Sequence, residues 1–544
     1  MAVLRTLQLP RFWCGVLVIP LIWFYTAATG WQPSAIRSTI MMSIVIGGWM
    51  LRRPGNLLNS LAAAALIILV WDPAQLFQAS FQLSFFVVLS IALFMPPLEK
   101  VRDHWLQIDP MLPRELLPRW QRWSYPVARL LLSWLAVSLA AWFGSWPLTA
   151  YYFHLFSPVT LLANLIIVPL SSAALACNLG GLICGDWLPW GTELFNHSAW
   201  FWMTCMVKVS EWLTHLPHAF FYVRSPDTAD FVIYYTTLMA VTSGLVFRQG
   251  WRIVAVIWLI AISGFYGWQT ITARQTTTLT ALPLNGGSAV FIHDGKTGDL
   301  LIDCGSSNSV KFITQPFLQA QGVNRLPQLI LTQGDIRDMG GVGLLNPTFP
   351  VEQILASAVK FRSAAYRKTI NDTEAFSKIK RTLQPGDAVG KWQVLYPHST
   401  NNFSQADDNS LVLKGEIHGL KILLVSDLGL AGQRDLLGRQ TDLAADIVIA
   451  GLPEKGEPLG DRLLEKIQPH LIVVMDSQLP ATKRASRSLR ERLAQQAIPV
   501  IYTRSAGAVT VVSRPGRWDL RTMDGQKFSS ATATNSPRHT VPVE

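Results

Sequence analysis

Charge is what this sequence has least of. Only 15% of its 544 residues are Asp, Glu, Lys or Arg, while half are apolar and 21 are Trp. That balance excludes a chain that is soluble along its whole length. Cysteine excludes little else: Cys14, Cys177, Cys184 and Cys205 lie in or near apolar runs, and Cys304 stands alone in the C-terminal half. Their spacing suits neither a zinc site nor a disulfide framework. No Gly-x-x-x-x-Gly-Lys-Ser/Thr loop is present, so any ATP-driven step must come from a partner. The first apolar run lacks an Ala-x-Ala exit and is followed by more such runs, which reads as a membrane span and not as a cleaved signal.

The apolar residues that are present lie unevenly. Residues 1–270 carry almost all the long hydrophobic runs, and 271–544 have the pattern of a soluble domain. Crossing about 30 Å of hydrocarbon takes roughly 20 apolar residues. The candidates are Phe12–Ala28, Thr39–Trp49, Leu57–Trp71, Phe85–Pro96, Leu130–Tyr152, Val159–Cys184, Trp200–Leu213, Phe231–Phe247 and Ile253–Trp268. This gives about nine helices, some of them short enough to be broken or interfacial. Positive charge collects at Arg52 and Arg53, at Lys100, Arg102, Arg114, Arg119 and Arg122, and at Arg248 and Arg252. With nine spans those loops share one side, read as cytoplasmic by the positive-inside rule, and the last span delivers the soluble domain to the opposite face. The net charge of +11 suits nucleic acid or anionic lipid as a partner, and follows equally from membrane-flanking Lys and Arg.

Several polar residues interrupt the apolar half. Arg37 precedes an apolar run, Asp72-Pro73-Ala74-Gln75 leads into Phe81-Gln82-Leu83-Ser84-Phe85, and Asn164 sits shortly before Pro169. Polar groups at membrane depth are costly and face a bundle interior or a wet pathway. Taken singly they read as caps and inter-helix hydrogen bonds; taken together they favour a pathway containing Arg37, Gln82, Ser84 and Asn164. The order Trp31-x-x-Ser34-x-x-Arg37-Ser38, Trp71-Asp72-Pro73, Phe81-Gln82-Leu83-Ser84-Phe85, Phe156-Ser157-Pro158 and Asn164-Leu165-x-x-x-Pro169 resembles the competence domain of the ComEC family. The resemblance implies a multi-pass protein of the bacterial inner membrane that carries a single DNA strand inward. It also implies a competence machinery with a separate ATPase, contact with membrane lipid, and an oligomeric state left open. Longer members of that family carry an OB-like domain and further helices before the region where this sequence starts.

The soluble half alternates short β-branched runs with helical ones, which suits an αββα sandwich. Its strands are expected from Leu279–Leu284 to Ala508–Val512, with helices at Val310–Gln321, Thr373–Arg381, Gly432–Leu437, Asp461–Lys466 and Ala485–Gln496. The expected domains are 1–271, a competence-type transmembrane region; 272–515, the sandwich; and 516–544, a polar tail without fixed structure, rich in Ser, Thr, Pro and Asn from 526 onward.

The run Leu331-Thr332-Gln333-Gly334-Asp335-Ile336-Arg337-Asp338-Met339-Gly340-Gly341 resembles the signature loop of the metallo-β-lactamase fold, His-x-His-x-Asp-His before Gly-Gly. Gln333 stands at the first His, Asp335 at the second, Arg337 at the Asp and Asp338 at the closing His. An opening Asp-Val-Gly-Gln-Gly-Asp has become Pro283-Leu284-Asn285-Gly286-Gly287-Ser288. Leu301-Ile302-Asp303-Cys304-Gly305 and Ser426-Asp427 keep the frame, and Pro-His-His-Gly-Ser has become Pro453-Glu454-Lys455-Gly456-Glu457. Asp476 and Arg504-Ser505-Ala506-Gly507-Ala508 close the comparison. Zinc wants imidazole or thiolate in such a site, and none of His293, His398, His418 or His470 aligns with a ligand position. Zinc is therefore disfavoured, and no cofactor is the leading expectation. Asp335, Asp338 and Asp427, with Glu454, leave an all-oxygen site for Mg²⁺ or Mn²⁺ as an alternative. The competing expectation pairs these acids with Arg337 and Lys455 in a collapsed site.

Three functions remain open from the sequence. One is a DNA-uptake protein whose extracytoplasmic domain is a retired hydrolase. Another is a membrane-anchored metal-dependent nuclease that degrades one strand. The last is a diverged membrane protein that no longer handles DNA.

Overall fold

The computed structural model describes residues 10–52, 56–106, 118–296, 298–359, 361, 363, 366–367, 379–401, 403–496 and 498–530. Two compact units divide between Ala255 and Val256. The division lies ahead of the 271/272 boundary that composition suggests, inside the last long apolar helix.

The first part is helical: α1 (Arg11–Ala28), α2 (Pro33–Met50), α3 (Leu57–Trp71), α4 (Ala79–Trp105), α5 (Arg119–Phe153), α6 (Thr160–Cys184), α7 (Pro189–Thr214), α8 (Thr228–Thr242) and α9 (Arg252–Arg274). Among the described residues five helices are long and apolar enough to cross a membrane: α1, α4, and the stretches Ser124–Phe153, Thr160–Trp187 and Gln249–Arg274. Helix α3 is a shorter apolar helix. The expected span Phe231–Phe247 is not continuous, because α8 stops at Thr242 and Gly244 takes φ 72°, a left-handed conformation that ends a helix.

Consecutive helices joined by short connections run antiparallel. In the α4–α5 pair, Tyr152 donates to the side-chain oxygen of Gln82 at 2.8 Å, and Arg102 donates to Ser133 at 2.9 Å. Between these contacts a Cβ added at Gly144 would lie 1.5 Å from Ser90 Oγ. Only glycine permits that approach. Helix α5 contains Pro147, which has no N–H to give to the Phe143 carbonyl one turn back. The hydroxyl of Tyr234 donates to that carbonyl at 2.7 Å, and Tyr235 donates to the neighbouring Gly144 carbonyl at 2.8 Å. In lipid no water could do this. Two short strands, β1 (Leu155–Phe156) and β2 (Phe221–Tyr222), pair antiparallel and tie the α5–α6 connection to the α7–α8 connection.

The second part is a sandwich. One sheet contains, in spatial order, β18 (Lys527–Ser529), β17 (Arg517–Thr522), β16 (Val509–Arg514), β3 (Thr277–Ala281), β4 (Val290–Asp294), β5 (Gly298–Ile302), β6 (Leu326–Leu331), β7 (Val351–Ser357) and β8 (Lys380–Leu383). The other runs β15 (Val500–Tyr502), β14 (Leu471–Val474), β13 (Ile447–Ala450), β12 (Leu420–Ser426), β11 (Val412–Ile417), β10 (Trp392–Tyr396), β9 (Ala388–Val389). One apolar core joins them, with Leu279, Ile292 and Ile330 from the first sheet and Trp392, Ile422 and Val473 from the second. The outer face of the second sheet is covered by α11 (Leu430–Arg439), α12 (Asp461–Ile467) and α13 (Arg487–Gln495), through Leu436, Leu464 and Leu489. A short helix α10 (Ile336–Met339) follows β6. This is the αββα layering that the alternating pattern implies.

Two expectations change. The tail does not begin at 516: β17 and β18 extend the first sheet, with Leu520 fully buried, because an Arg-Trp-Asp-Leu-Arg-Thr alternation is strand patterning despite its polarity. Residues 531–544 lie outside the described residues. The helix expected at Thr373–Arg381 falls largely outside them as well, and its last residues belong to β8. Arg53 and Arg114 also lie outside.

Replacing Tyr234 with Phe should leave the Phe143 carbonyl unsatisfied and cost about 1–3 kcal/mol. A lowered unfolding midpoint of the full chain in detergent checks this, and Tyr234→Phe combined with Tyr235→Phe should lower it further.

Candidate functional site

The strand ends of the two sheets meet where the sequence frame places its site. Asp303, directly after β5, and Ser426, the last residue of β12, are both left-handed residues that carry a side chain, at φ 55° and φ 51°. Such conformations cost free energy and persist where surrounding contacts hold them. Here the contacts are hydrogen bonds. Asp303 accepts from the N–H of Thr332 at 2.9 Å and from its hydroxyl at 2.6 Å. Thr332 Oγ1 lies 2.8 Å from Ser426 Oγ, which links β6 to β12 across the sandwich. Gly287 presses the preceding turn onto the signature loop: a Cβ there would lie 2.0 Å from the Arg337 carbonyl oxygen.

At the centre is Gln333, fully buried. Its amide nitrogen donates to Asp338 at 2.6 Å and to Asp427 at 3.0 Å, and its oxygen accepts from Ser410 at 3.3 Å. Asp338 also accepts from the N–H of Ser288 at 2.7 Å and its hydroxyl at 2.8 Å. Lys483, 3% exposed, donates to Asp427 and, at 2.7 Å, to the Leu452 carbonyl. Gly451 makes room for the Asp427 carboxylate, since a Cβ there would stand 1.7 Å from its oxygen.

Burial pushes the Asp303 carboxyl up to about 7, against the hydrogen bonds from Thr332 and Ser288. Burial also drives Asp338 well above the carboxylate range, with Asp427 and Asp303 adding repulsion and Lys483 opposing it. Burial raises Asp407 to about 6 although it accepts the Glu454 N–H at 2.6 Å. Lys483 is the counterweight. Burial alone would favour its neutral amine, but Asp427, Asp338 and Asp407 outweigh burial and raise its pKa above the ordinary lysine value.

These residues do not fit a metal. A cation site needs lone pairs converging on one point, whereas Asp338 and Asp427 receive N–H groups from Gln333, and Asp427 receives an ammonium as well. Among the described residues no three His, Cys, Asp or Glu side chains form a ligand set. The sequence expectations are redistributed accordingly. Asp338 and Asp427 come together, bridged by Gln333. Asp335 does not join them: it caps α10, accepting the Arg337 N–H at 3.0 Å. Arg337 pairs with Glu454 at 3.1 Å, not with the buried acids, and Lys455 is exposed. Asp476 is buried elsewhere, accepting the Arg504 N–H at 3.0 Å. The cation that does enter, Lys483, was missed because it lies in a turn outside every compared motif. Its one sequence signal is a lysine among Pro480, Ala481 and Ala485, with no neighbouring acid to keep it at the surface.

In the membrane half the four candidate pathway residues lie near one end of the antiparallel helices. Arg37 and Asn164 are each the fifth residue of α2 and α6, and Gln82 and Ser84 lie in the first turns of α4. Gln82 is held from both sides, donating to the Leu76 carbonyl at 2.9 Å while accepting from Tyr152. Ser84 and Asn164 are half-buried. Arg37 is 3% exposed, and its Nε and Nη1 have no hydrogen-bond partner among the described residues.

Apolar helices long enough to cross a membrane, followed by an αββα sandwich, define a membrane protein that carries a two-sheet α/β domain. Residues 1–248 match the family described as Competence protein. ComE operon protein 3 of Bacillus subtilis (strain 168) is 20% identical over 529 residues, covering 92% of this chain. The chain spans 64% of the length of that relative. Among solved structures, the metallo-hydrolase Igni18 of Ignicoccus hospitalis is 12% identical over 43% of this chain and 98% of its own, with a TM-score of 0.30. A HARLDQ-motif mutant metallo-β-lactamase of Cronobacter sakazakii is 13% identical over 40% and 82%, with a TM-score of 0.22.

Two outcomes test the site. Lys483→Met should destabilise the protein by about 3–5 kcal/mol, since it strands a buried carboxylate; the unfolding midpoint of the full chain reads this. Asp303 and Asp407 bind protons more readily folded than unfolded. Their contribution is therefore complete below about pH 4 and is lost as pH rises through about 6 and 7. Relative to Asp303→Asn, the wild type should lose stability over that interval, measured as midpoint against pH.

Proposed function

We propose that this chain is an inner-membrane component of bacterial DNA uptake, forming part of a channel for single-stranded DNA, with an extracytoplasmic sandwich that no longer hydrolyses. The observation that carries the reading is the gathering of Arg37, Gln82, Ser84, Asn164 and Tyr152 at one end of the helices. The connections at that end, α1–α2, α3–α4, α5–α6 and α7–α8, contain Arg224 as their sole Lys or Arg. In sequence, the stretches between α2 and α3, α4 and α5, and α8 and α9 carry Arg52, Arg53, Arg114 and Arg248. By the positive-inside rule the arginine-rich end is cytoplasmic, which puts the polar end outside, where a strand would enter. With nine crossings the sandwich follows the last helix to the same side. A separate ATPase supplies the energy, and the partners are the strand, the remaining competence machinery and lipid.

The nuclease alternative is disfavoured by the ammonium of Lys483 on Asp427, where a phosphodiesterase would hold a metal to activate water. The purified full chain, incubated with Mg²⁺, Mn²⁺ or Zn²⁺, should leave a single-stranded oligonucleotide uncut, while deleting its gene in the native host should abolish transformation. Metal-dependent cleavage would replace this reading with the nuclease, and undiminished transformation would replace it with a protein that does not handle DNA.

A further inference from the structure

We propose that Arg37 and the start of α2 form a seat for one phosphate of a nucleic acid strand. The inference deepens the DNA-conduit reading and rests on it.

A guanidinium is permanently charged, and burying a charge without a partner is among the most expensive arrangements in a protein. Arg37 is 3% exposed, with Nε and Nη1 unpartnered, and among the described residues no carboxylate pairs with it. Its position rules out a purely apolar role. Residues 37, 40, 41 and 44 share one face of α2. Ile40, Met41 and Ile44 on that face pack against Leu61, Ile68, Phe81 and Phe85. Arg37 thus crowns an apolar stripe whose other members are well matched to their neighbours, and it alone is mismatched.

What would match it is an anion arriving from the open end of the helix. Long helical side chains lean toward the N-terminus, so the first turn of α2 lies on the side toward which an arginine at 37 extends. That turn is itself an anion-attracting feature. Gln32 at the cap makes no side-chain hydrogen bond, residue 33 is a proline without N–H, and the first intrahelical bond is Ile36 N–H to the Gln32 carbonyl at 3.0 Å. The N–H groups of Ser34 and Ala35 precede that bond. Trp31, Gln32, Pro33 and Ser34 are exposed, so the mouth is accessible. At about 1.5 Å rise per residue, Arg37 starts about 6 Å below the helix start, within reach of a rotamer change. A planar fork beside two free N–H groups suits the tetrahedral oxygens of a phosphate. A lipid phosphate offers the same chemistry, but Arg37 is buried on the face of α2 that packs against α3 and α4, not on an exposed face, which favours a threaded strand.

The test uses the full chain in phosphatidylcholine nanodiscs and a fluorescein-labelled dT20 read by anisotropy. Arg37→Met, similar in length and uncharged, should weaken binding at least tenfold, and Arg37→Lys should weaken it less. The slope of log affinity against log salt should fall by about 0.7 for the lost contact to a single strand. A methylphosphonate dT20, lacking backbone charge, should bind wild type and Arg37→Met alike. This comparison also tests the wild type should the variant fold poorly, because wild type must then bind the charged strand far more tightly than the neutral one. Equal dT20 binding by wild type and Arg37→Met overturns the seat and leaves the conduit reading standing if transformation still requires the chain. Loss of co-purifying phosphatidylglycerol in Arg37→Met, with dT20 binding unchanged, overturns it in favour of a lipid site. No dT20 binding by wild type, with transformation intact in the deletion strain, overturns both the seat and the conduit.

Discussion

The ammonium of Lys483 holds the open end of the sandwich together. Asp303, Asp338 and Asp427 are all buried there, and three carboxylates in a low-dielectric interior repel one another strongly. One cation on Asp427, the bridging amide of Gln333 and the hydroxyls of Ser288 and Thr332 make the arrangement tolerable. The same contacts link the strand ends of the two sheets. Carboxylate repulsion at these strand ends is thus offset by a side-chain ammonium and by hydrogen-bond donors. Removing any one member leaves a buried polar group unpaired.

In the membrane half the governing constraint is different. Backbone groups have no water to bond to, and each defect must be satisfied by protein. The proline in α5 is answered by two tyrosines from α8, and the close approach of α4 and α5 is answered by a glycine opposite a serine. Against that economy the buried, unpartnered Arg37 stands out. A fold that satisfies a single carbonyl with a tyrosine hydroxyl leaves Nε and Nη1 of a buried guanidinium without a hydrogen-bond partner among the described residues.

The two halves were legible to different depths. Apolar runs fix helices because length and hydropathy act locally, and the strand–helix alternation after residue 276 implies the sandwich for the same reason. Where the pattern was misread, the physics is plain. The polar alternation of 517–522 forms a strand because β16 offers it an edge and Leu520 finds the core. The run 231–247 breaks because a glycine takes a left-handed turn that no hydropathy window registers.

Sequence alone determined the order of the domains, the layering of the soluble one and the loss of imidazole from its site, because these follow from composition, periodicity and motif spacing. Tertiary structure decided which charges meet. Asp335 and Asp338 are three residues apart, yet one caps a short helix and the other enters the core. Lys483 is 56 residues from Asp427 and binds it, whereas Arg337 beside Asp338 turns to Glu454. Ion pairing depends on where strand ends converge and which side chains are denied water, and neither is set by distance along the chain.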